Sequence, residues 1–272
     1  MTQSVAFIGL GAMGYRMAAH LPKYFDTVYV WNRNFSKAEQ HATEFGTIAV
    51  ELEQAAQADV IFSCLPTSQD VENLISSIKI KSGAIWIDCT SGVPDVARRL
   101  AEQLKAQDVA FLDAPVSGQT IGAENATLTF MVGGDIDAFE RAYPAMSALG
   151  KLIQHVGESG AGFAVKAINN MLLAVNLWSV AEGFTTLKAH GVNLDAALNC
   201  INASSGKSLV TENIFPQRVL SREFPVTFAL PLLAKDTGIA LDLVHDAKLP
   251  APILSLAQSL IQAASLTAGS NS

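Results

Sequence analysis

Short apolar runs recur along the first half of the chain, each followed by a stretch whose apolar residues keep helical spacing. The runs are Ser4–Ile8, Thr27–Trp31, Val60–Ser63, Ile85–Ile87, Val109–Leu112, Thr127–Val132 and Leu152–His155. A continuous apolar run of strand length, bounded by turn residues, is the signature of a strand buried on both faces. Alternating such strands with helices predicts an α/β architecture, a doubly wound and mostly parallel sheet with ligands at the carboxyl ends of its strands. After His155 the strand pattern stops. From Ala161 onward the chain reads as helical, punctuated by Gly191, Gly206, Pro216, Pro225, Pro231 and Pro250. The shift sets a domain boundary near Gly157 to Gly162, dividing the chain into residues 1–160 and an all-helical 161–272.

The first strand runs into Gly9-Leu10-Gly11-Ala12-Met13-Gly14 and then a helical pattern to about Leu21. A G-x-G-x-x-G between strand and helix allows a tight turn, close backbone approach to a pyrophosphate and close helix packing, with the helix N-terminus favouring the negative charge. The second strand ends in Asn32-Arg33-Asn34. An NAD enzyme usually places an acidic residue there to hold the ribose hydroxyls. Asn32 removes the carboxylate that would repel a 2′-phosphate, and the Arg33 guanidinium can pair with one. NADP is therefore favoured over NAD, against the plainer reading of a surface arginine.

Two further stretches carry polar groups that call for an explanation. After Gly160 and Gly162, one long apolar helix holds Lys166, Asn169 and Asn170, three and four residues apart and so on one face. Alone, the cluster reads as a lysine whose stem lies on apolar surface while its head reaches water, beside capping amides. The loop from Asp113 to Thr127 offers the Ser117 hydroxyl and the Gly118 backbone, suited to a carboxylate, or else forms a turn-rich connection.

Composition narrows the classes. Half of the 272 residues are hydrophobic, 16% are charged and the net charge is -7, which argues against nucleic acid as a partner. Cys64, Cys89 and Cys200 are far apart and read as buried thiols, not as a disulfide framework or a zinc site. The five histidines are scattered without metal spacing, and His20, His41, His190 and His245 read as solvated helix residues. Metal binding is not expected. The N-terminus has no basic leader, and the apolar run from Met171 to Ala181 is too short to span a bilayer. A cytoplasmic protein without membrane association is expected.

Five ordered blocks carry a resemblance that covers nearly the whole chain: Gly9–Gly14, Asp88–Pro94, Phe111–Gly118 with Gly122-Ala and Thr127-Leu, Gly157–Asn170, and Phe228–Asp236. The chain resembles the β-hydroxyacid dehydrogenase family, most closely its 3-hydroxyisobutyrate dehydrogenase branch. The resemblance implies an NADP-binding Rossmann domain, a long helix crossing into an all-α substrate and oligomerisation domain, and an active cleft between them. It makes Lys166 the catalytic residue with Asn170 beside it. Ser117, Gly118, Gln119 and Asn170 would hold the substrate carboxylate, and Asp236 would line the cleft. Leu65, Pro66, Asp70, Ser91 and Lys235 match positions that touch the cofactor.

The implied reaction interconverts a small 3-hydroxy acid, 3-hydroxyisobutyrate first, and its semialdehyde. A reductase of small aldehyde acids (glyoxylate, succinic or tartronate semialdehyde) and a non-catalytic dinucleotide-binding protein stand as alternatives; an intact Lys166 argues against the latter. Two residues depart from the family pattern: Gln119 replaces the second glycine of Ser-Gly-Gly, and Ala126 replaces the glycine before the Thr-Leu pair. The chain also lacks the longer C-terminal helix of many members. The apolar helix suggests a homodimer or homotetramer.

Overall fold

The computed structural model describes residues 3–224 and 228–268, so the Pro225 break and the tail beyond Ala268 lie outside the described residues. Two compact units divide between Lys166 and Ala167. The first turn of the long helix thus belongs to the first unit.

The first unit is one nine-stranded sheet with helices. Its strands are β1 (Val5–Ile8), β2 (Val28–Trp31), β3 (Ile48–Ala49), β4 (Val60–Ser63), β5 (Ile85–Asp88), β6 (Ala110–Asp113), β7 (Val116–Ser117), β8 (Leu128–Gly133) and β9 (Gly150–Gly157). The connecting helices are α1 (Gly14–Ala18), α2 (Phe35–Phe45), α3 (Leu52–Ala55), α4 (Ser68–Ser76), α5 (Pro94–Lys105), α6 (Gln119–Glu124) and α7 (Ile136–Ser147). The spatial order is β3-β2-β1-β4-β5-β6-β8-β7, with β9 paired to β8. Pairing is parallel except where β8 meets β6 and β7.

Strand order reverses at β1, which lies between β2 and β4. That switch point is where an open sheet leaves a crevice for a ligand. The register then aligns the strand ends: Ile8 sits opposite Trp31 and Ser63, Ser63 opposite Asp88, and Asp88 opposite Asp113. The loops that follow these strands therefore open along one edge.

The central strands are buried on both faces, which explains their unbroken apolar runs. Phe7, Val30, Phe62, Ile87 and Leu112 pack on one face, and Ile8, Ile61, Trp86 and Phe111 on the other. Phe7 and Phe62 stack at 5.7 Å between ring centroids. Burying one such side chain stabilises the fold by about 2–3 kcal/mol relative to exposing it.

The second unit is helical: most of α8 (Ala161–Ala189), α9 (Leu194–Asn202), a π-helical segment (Val210–Leu220), α10 (Leu230–Asp246) and α11 (Pro252–Ala268). Its core comes as three small clusters, centred on Met171 with Ala240, on Phe184 with Phe215, and on Ala174 with Leu233 and Ile261. At 29 residues α8 is long and apolar enough to cross a membrane by length and composition, contrary to the sequence expectation. Asn169, Asn170 and Asn176 interrupt its apolar surface, and a core helix passes the same test.

Two sequence expectations are corrected. His41 is not solvated: it is fully buried, with ring nitrogens 2.8 Å from Thr47 Oγ1 and 3.0 Å from the Tyr15 carbonyl. Burial lowers its pKa. Cys200 is exposed, unlike buried Cys89 and half-buried Cys64.

Candidate dinucleotide and active site

The glycine loop is shaped by close approach at its ends and open space at its middle. Gly9 has φ +95°, and a Cβ there would lie 2.5 Å from the Cys64 carbonyl oxygen. A Cβ on Gly14 would lie 2.0 Å from the Gly9 carbonyl oxygen. Gly11 is exposed, and a Cβ on it would meet nothing within 4 Å. The outer glycines thus serve the turn and the packing of α1. The middle one leaves room for another molecule to reach the backbone, so the loop fits a dinucleotide pyrophosphate.

Asn32 completes the loop. Its Oδ1 accepts the Leu10 N–H at 3.0 Å, and its Nδ2 donates to the Asn34 carbonyl at 3.0 Å. The side chain at the usual acidic position is thereby spent on holding the loop and the turn after β2. Arg33 and Asn34 are exposed beside it, as are Ala12 and Gly11. Met13 occupies the residue before α1.

The loops after β4 and β5 are knitted together. The Leu65 N–H donates to Thr90 Oγ1 at 3.1 Å, the Thr90 N–H to Asp88 Oδ1 at 3.0 Å, and Ser63 Oγ to the same oxygen at 2.9 Å. Asp70 caps α4 reciprocally with Thr67, its carboxylate accepting the Thr67 hydroxyl at 2.6 Å and the Thr67 N–H at 3.1 Å. Pro66 is exposed between these anchors, and half-buried Ser91 follows Thr90. Burial pushes the Cys64 thiol up to about 12, and Cys89 is raised as well, so both stay protonated and inert.

Ser117 ends β7, paired to Thr129 of β8. Gly118 (φ +137°) and Gln119 (φ +60°) then turn the chain into α6, both exposed. Gln119 and Ala126 (φ +52°) are the two positions where the family usually has glycine, and both keep the left-handed backbone that favours it. Holding a side chain there costs on the order of 1 kcal/mol each.

Sequence reasoning passed over Asp113, the buried residue that anchors α8. Its Oδ1 accepts the Gly160 N–H at 2.7 Å, and its Oδ2 accepts the Phe163 N–H at 2.9 Å. Phe163 is buried in the core of the first unit. The signal was a carboxylate closing an apolar strand, Ala110-Phe-Leu-Asp113, as Asp88 closes Ile85-Trp-Ile. Three residues past Phe163, half-buried Lys166 ends the first unit.

In the second unit, buried Asn170 donates its amide to Asp236 Oδ2 of α10 at 2.6 Å. Asn169 donates to Asn170 Oδ1 at 3.1 Å. Lys235 lies 3.4 Å from Asp236 Oδ1. The motif pair Asn170 and Asp236, 66 residues apart in sequence, thus forms one polar cluster within that unit.

A mostly parallel sheet with its switch point at β1, carrying a glycine loop open at Gly11, defines the class of dinucleotide-binding folds. Residues 4–157 match the NAD binding domain of 6-phosphogluconate dehydrogenase, and residues 160–272 match the NAD-binding domain of NADP-dependent 3-hydroxyisobutyrate dehydrogenase. The chain is 36% identical over 265 residues to 2-(hydroxymethyl)glutarate dehydrogenase of Eubacterium barkeri, covering 95% of this chain and 88% of the relative. It is also 36% identical over 270 residues to the NAD-dependent L-serine dehydrogenase of Pseudomonas aeruginosa, covering 95% and 91%. The structure of Mycobacterium tuberculosis 3-hydroxyisobutyrate dehydrogenase with L-serine superposes with a TM-score of 0.90 at 30% identity, covering 96% and 93%. The chain belongs to the β-hydroxyacid dehydrogenase family, among its 3-hydroxyisobutyrate dehydrogenase-like members.

Proposed function

We propose that the protein is an NADP-preferring dehydrogenase interconverting a small 3-hydroxy acid, best 3-hydroxyisobutyrate, and its semialdehyde. The observation that carries the reading is Lys166 one helical turn before a buried Asn170 whose amide is held by Asp236. In oxidation the Lys166 amine takes the proton from the hydroxyl oxygen while the carbon bearing that hydroxyl gives up its hydride; in reduction the ammonium returns the proton to the developing alkoxide. The bound nicotinamide ring supplies the hydride acceptor. Asn170 orients the reacting oxygen or the amine. Ser117, Gly118 and Gln119 receive the substrate carboxylate, and Asp236 lines the substrate side. Gly9 to Gly14, Asn32, Arg33, Asn34, Leu65, Pro66, Asp70, Ser91 and Lys235 serve the cofactor.

The preference for NADP rests on Asn32, which brings no carboxylate to the 2′ position, and on exposed Arg33. Arg33→Ala is expected to lower the NADP-to-NAD ratio of kcat/KM about tenfold, the worth of one charge-assisted contact. The same pair favours the reductive direction, which keeps the small aldehyde acids as second reading. We assign a cytoplasmic setting and a homodimer or homotetramer, the exposed apolar residues of α8 and α11 being covered by further copies. The deciding experiment assays a panel of small 3-hydroxy acids and semialdehydes with both cofactors. Turnover of 3-hydroxyisobutyrate above the rest supports the first reading. Turnover of the aldehyde acids alone supports the second, and activity on none leaves a non-catalytic dinucleotide-binding protein.

A further inference from the structure

Asp113 has no part in the roles above, yet it decides where α8 begins. A fully buried carboxylate at the end of an apolar strand is costly unless its oxygens are used. Both are used on the same helix terminus. Gly160 precedes α8 and Phe163 is its third residue, so the Asp113 carboxylate takes two of the amides that a helix start leaves without partners. Glycines make the approach this close. A Cβ on Gly162 would lie 2.3 Å from both the Asp113 and Met131 carbonyl oxygens, and one on Gly133 would lie 2.6 Å from Asp113 Oδ1. The helix start can neither slide nor turn without breaking two charge-assisted bonds.

Lys166 follows Phe163 by three residues on the same rigid helix. A small rotation at Phe163 is therefore carried directly to the lysine amine. We propose that Asp113 is the positioning residue for Lys166: its ionised carboxylate fixes the first turn of α8, and protonation releases it. This rests on the acid/base reading of Lys166.

The charged and titratable groups around this contact are Asp88 on β5, opposite Asp113, and Arg98 on α5, whose Nη1 lies near Gly160 and which pairs with Asp95. Glu158 lies just before α8, and His155 of β9 bonds the Gly134 carbonyl at 2.8 Å. Burial raises the Asp113 carboxyl to about 6, against the lowering effect of the Gly160 and Phe163 amides, and Asp88 adds a smaller upward push. Its ionisation thus falls in a range an assay can reach.

The test combines pH-rate profiles with amide hydrogen exchange over residues 160–166, in the wild type, Asp113→Asn and His155→Gln. Asp113→Asn is expected to lower kcat about 10- to 100-fold, as misplacement of a catalytic group does, while the dinucleotide Kd holds within about twofold. It should also abolish an acid-limb ionisation near 6 that His155→Gln retains. Exchange over residues 160–166 should quicken by roughly tenfold or more in Asp113→Asn at neutral pH, and in the wild type near pH 5 after correction for intrinsic rates. Wild-type kcat with an unchanged acid limb in Asp113→Asn overturns the proposal. If the wild type turns over no substrate, the acid/base reading fails, and the exchange arm alone judges Asp113, unchanged protection overturning its role. If Asp113→Asn does not fold, the wild-type pH series decides: protection that is flat through pH 6 overturns it.

Discussion

The two units bury their apolar residues in different ways. In the first, both faces of one sheet are covered and the central strands are fully buried. In the second, three small clusters hold the helices, while Leu172, Leu256 and Leu266 remain 52%, 61% and 80% exposed. The first unit completes its own core and its own glycine loop. The second leaves large side chains of α8 and α11 exposed instead of gathering them into one core. The contrast frames the two tasks proposed above, holding a dinucleotide in the first unit and assembling copies through the second, and the long helix contributes residues to both units.

If the tasks are separable, the sharpest break comes at Lys166. Lys166→Ala is expected to lower kcat by about 10²- to 10⁴-fold with dinucleotide affinity unchanged, as read by steady-state kinetics and calorimetry. Retained turnover would sink the acid/base role. Within the first unit the glycines should divide by what surrounds them. Gly14→Ala drives a Cβ into the Gly9 carbonyl and is expected to cost about 3 kcal/mol or more in denaturant unfolding. Gly11→Ala, with open space around it, should leave stability within about 0.5 kcal/mol while weakening the dinucleotide at least about tenfold.

The double variant Leu172→Glu with Leu256→Glu probes the second unit's surface. It is expected to reduce the particle mass seen by light scattering while leaving dinucleotide affinity alone. An unchanged mass would remove these residues from the assembly.

The smallest effect concerns pH. Asp113 is raised from 3.8 to about 6 by burial, so the folded state binds this proton more tightly than the unfolded chain. Its contribution to stability is therefore full below 3.8 and lost as pH rises through 6. Between pH 7 and pH 5 it should add about 1 kcal/mol to the wild type relative to Asp113→Asn in paired unfolding curves. Local release of α8 and a gain in global stability would then move in opposite directions on acidification.

Much of this was legible in the sequence, because buried parallel strands write themselves as unbroken apolar runs. Ile85–Ile87 and Val60–Ser63 are such runs, and both are strands. The two-residue strands β3 and β7 carry no such signature, since only their neighbours define them. The glycine loop was readable from local spacing. The burial of His41 was not, because its partners lie at Tyr15 and Thr47. Asp113 was equally hidden: its bonds reach 47 and 50 residues along the chain. The left-handed backbone at Gln119 and Ala126 could be anticipated only from the glycines that relatives place there.

The Asn32 side chain has a consequence for the order of events in solution. It ties Leu10 and Asn34 with no ligand needed, so the glycine loop is already set when a dinucleotide arrives. The entropy of ordering that loop is spent during folding and is not charged again at each encounter. Association should therefore be a single fast phase without a slow rearrangement, and the dinucleotide is free to enter before any substrate.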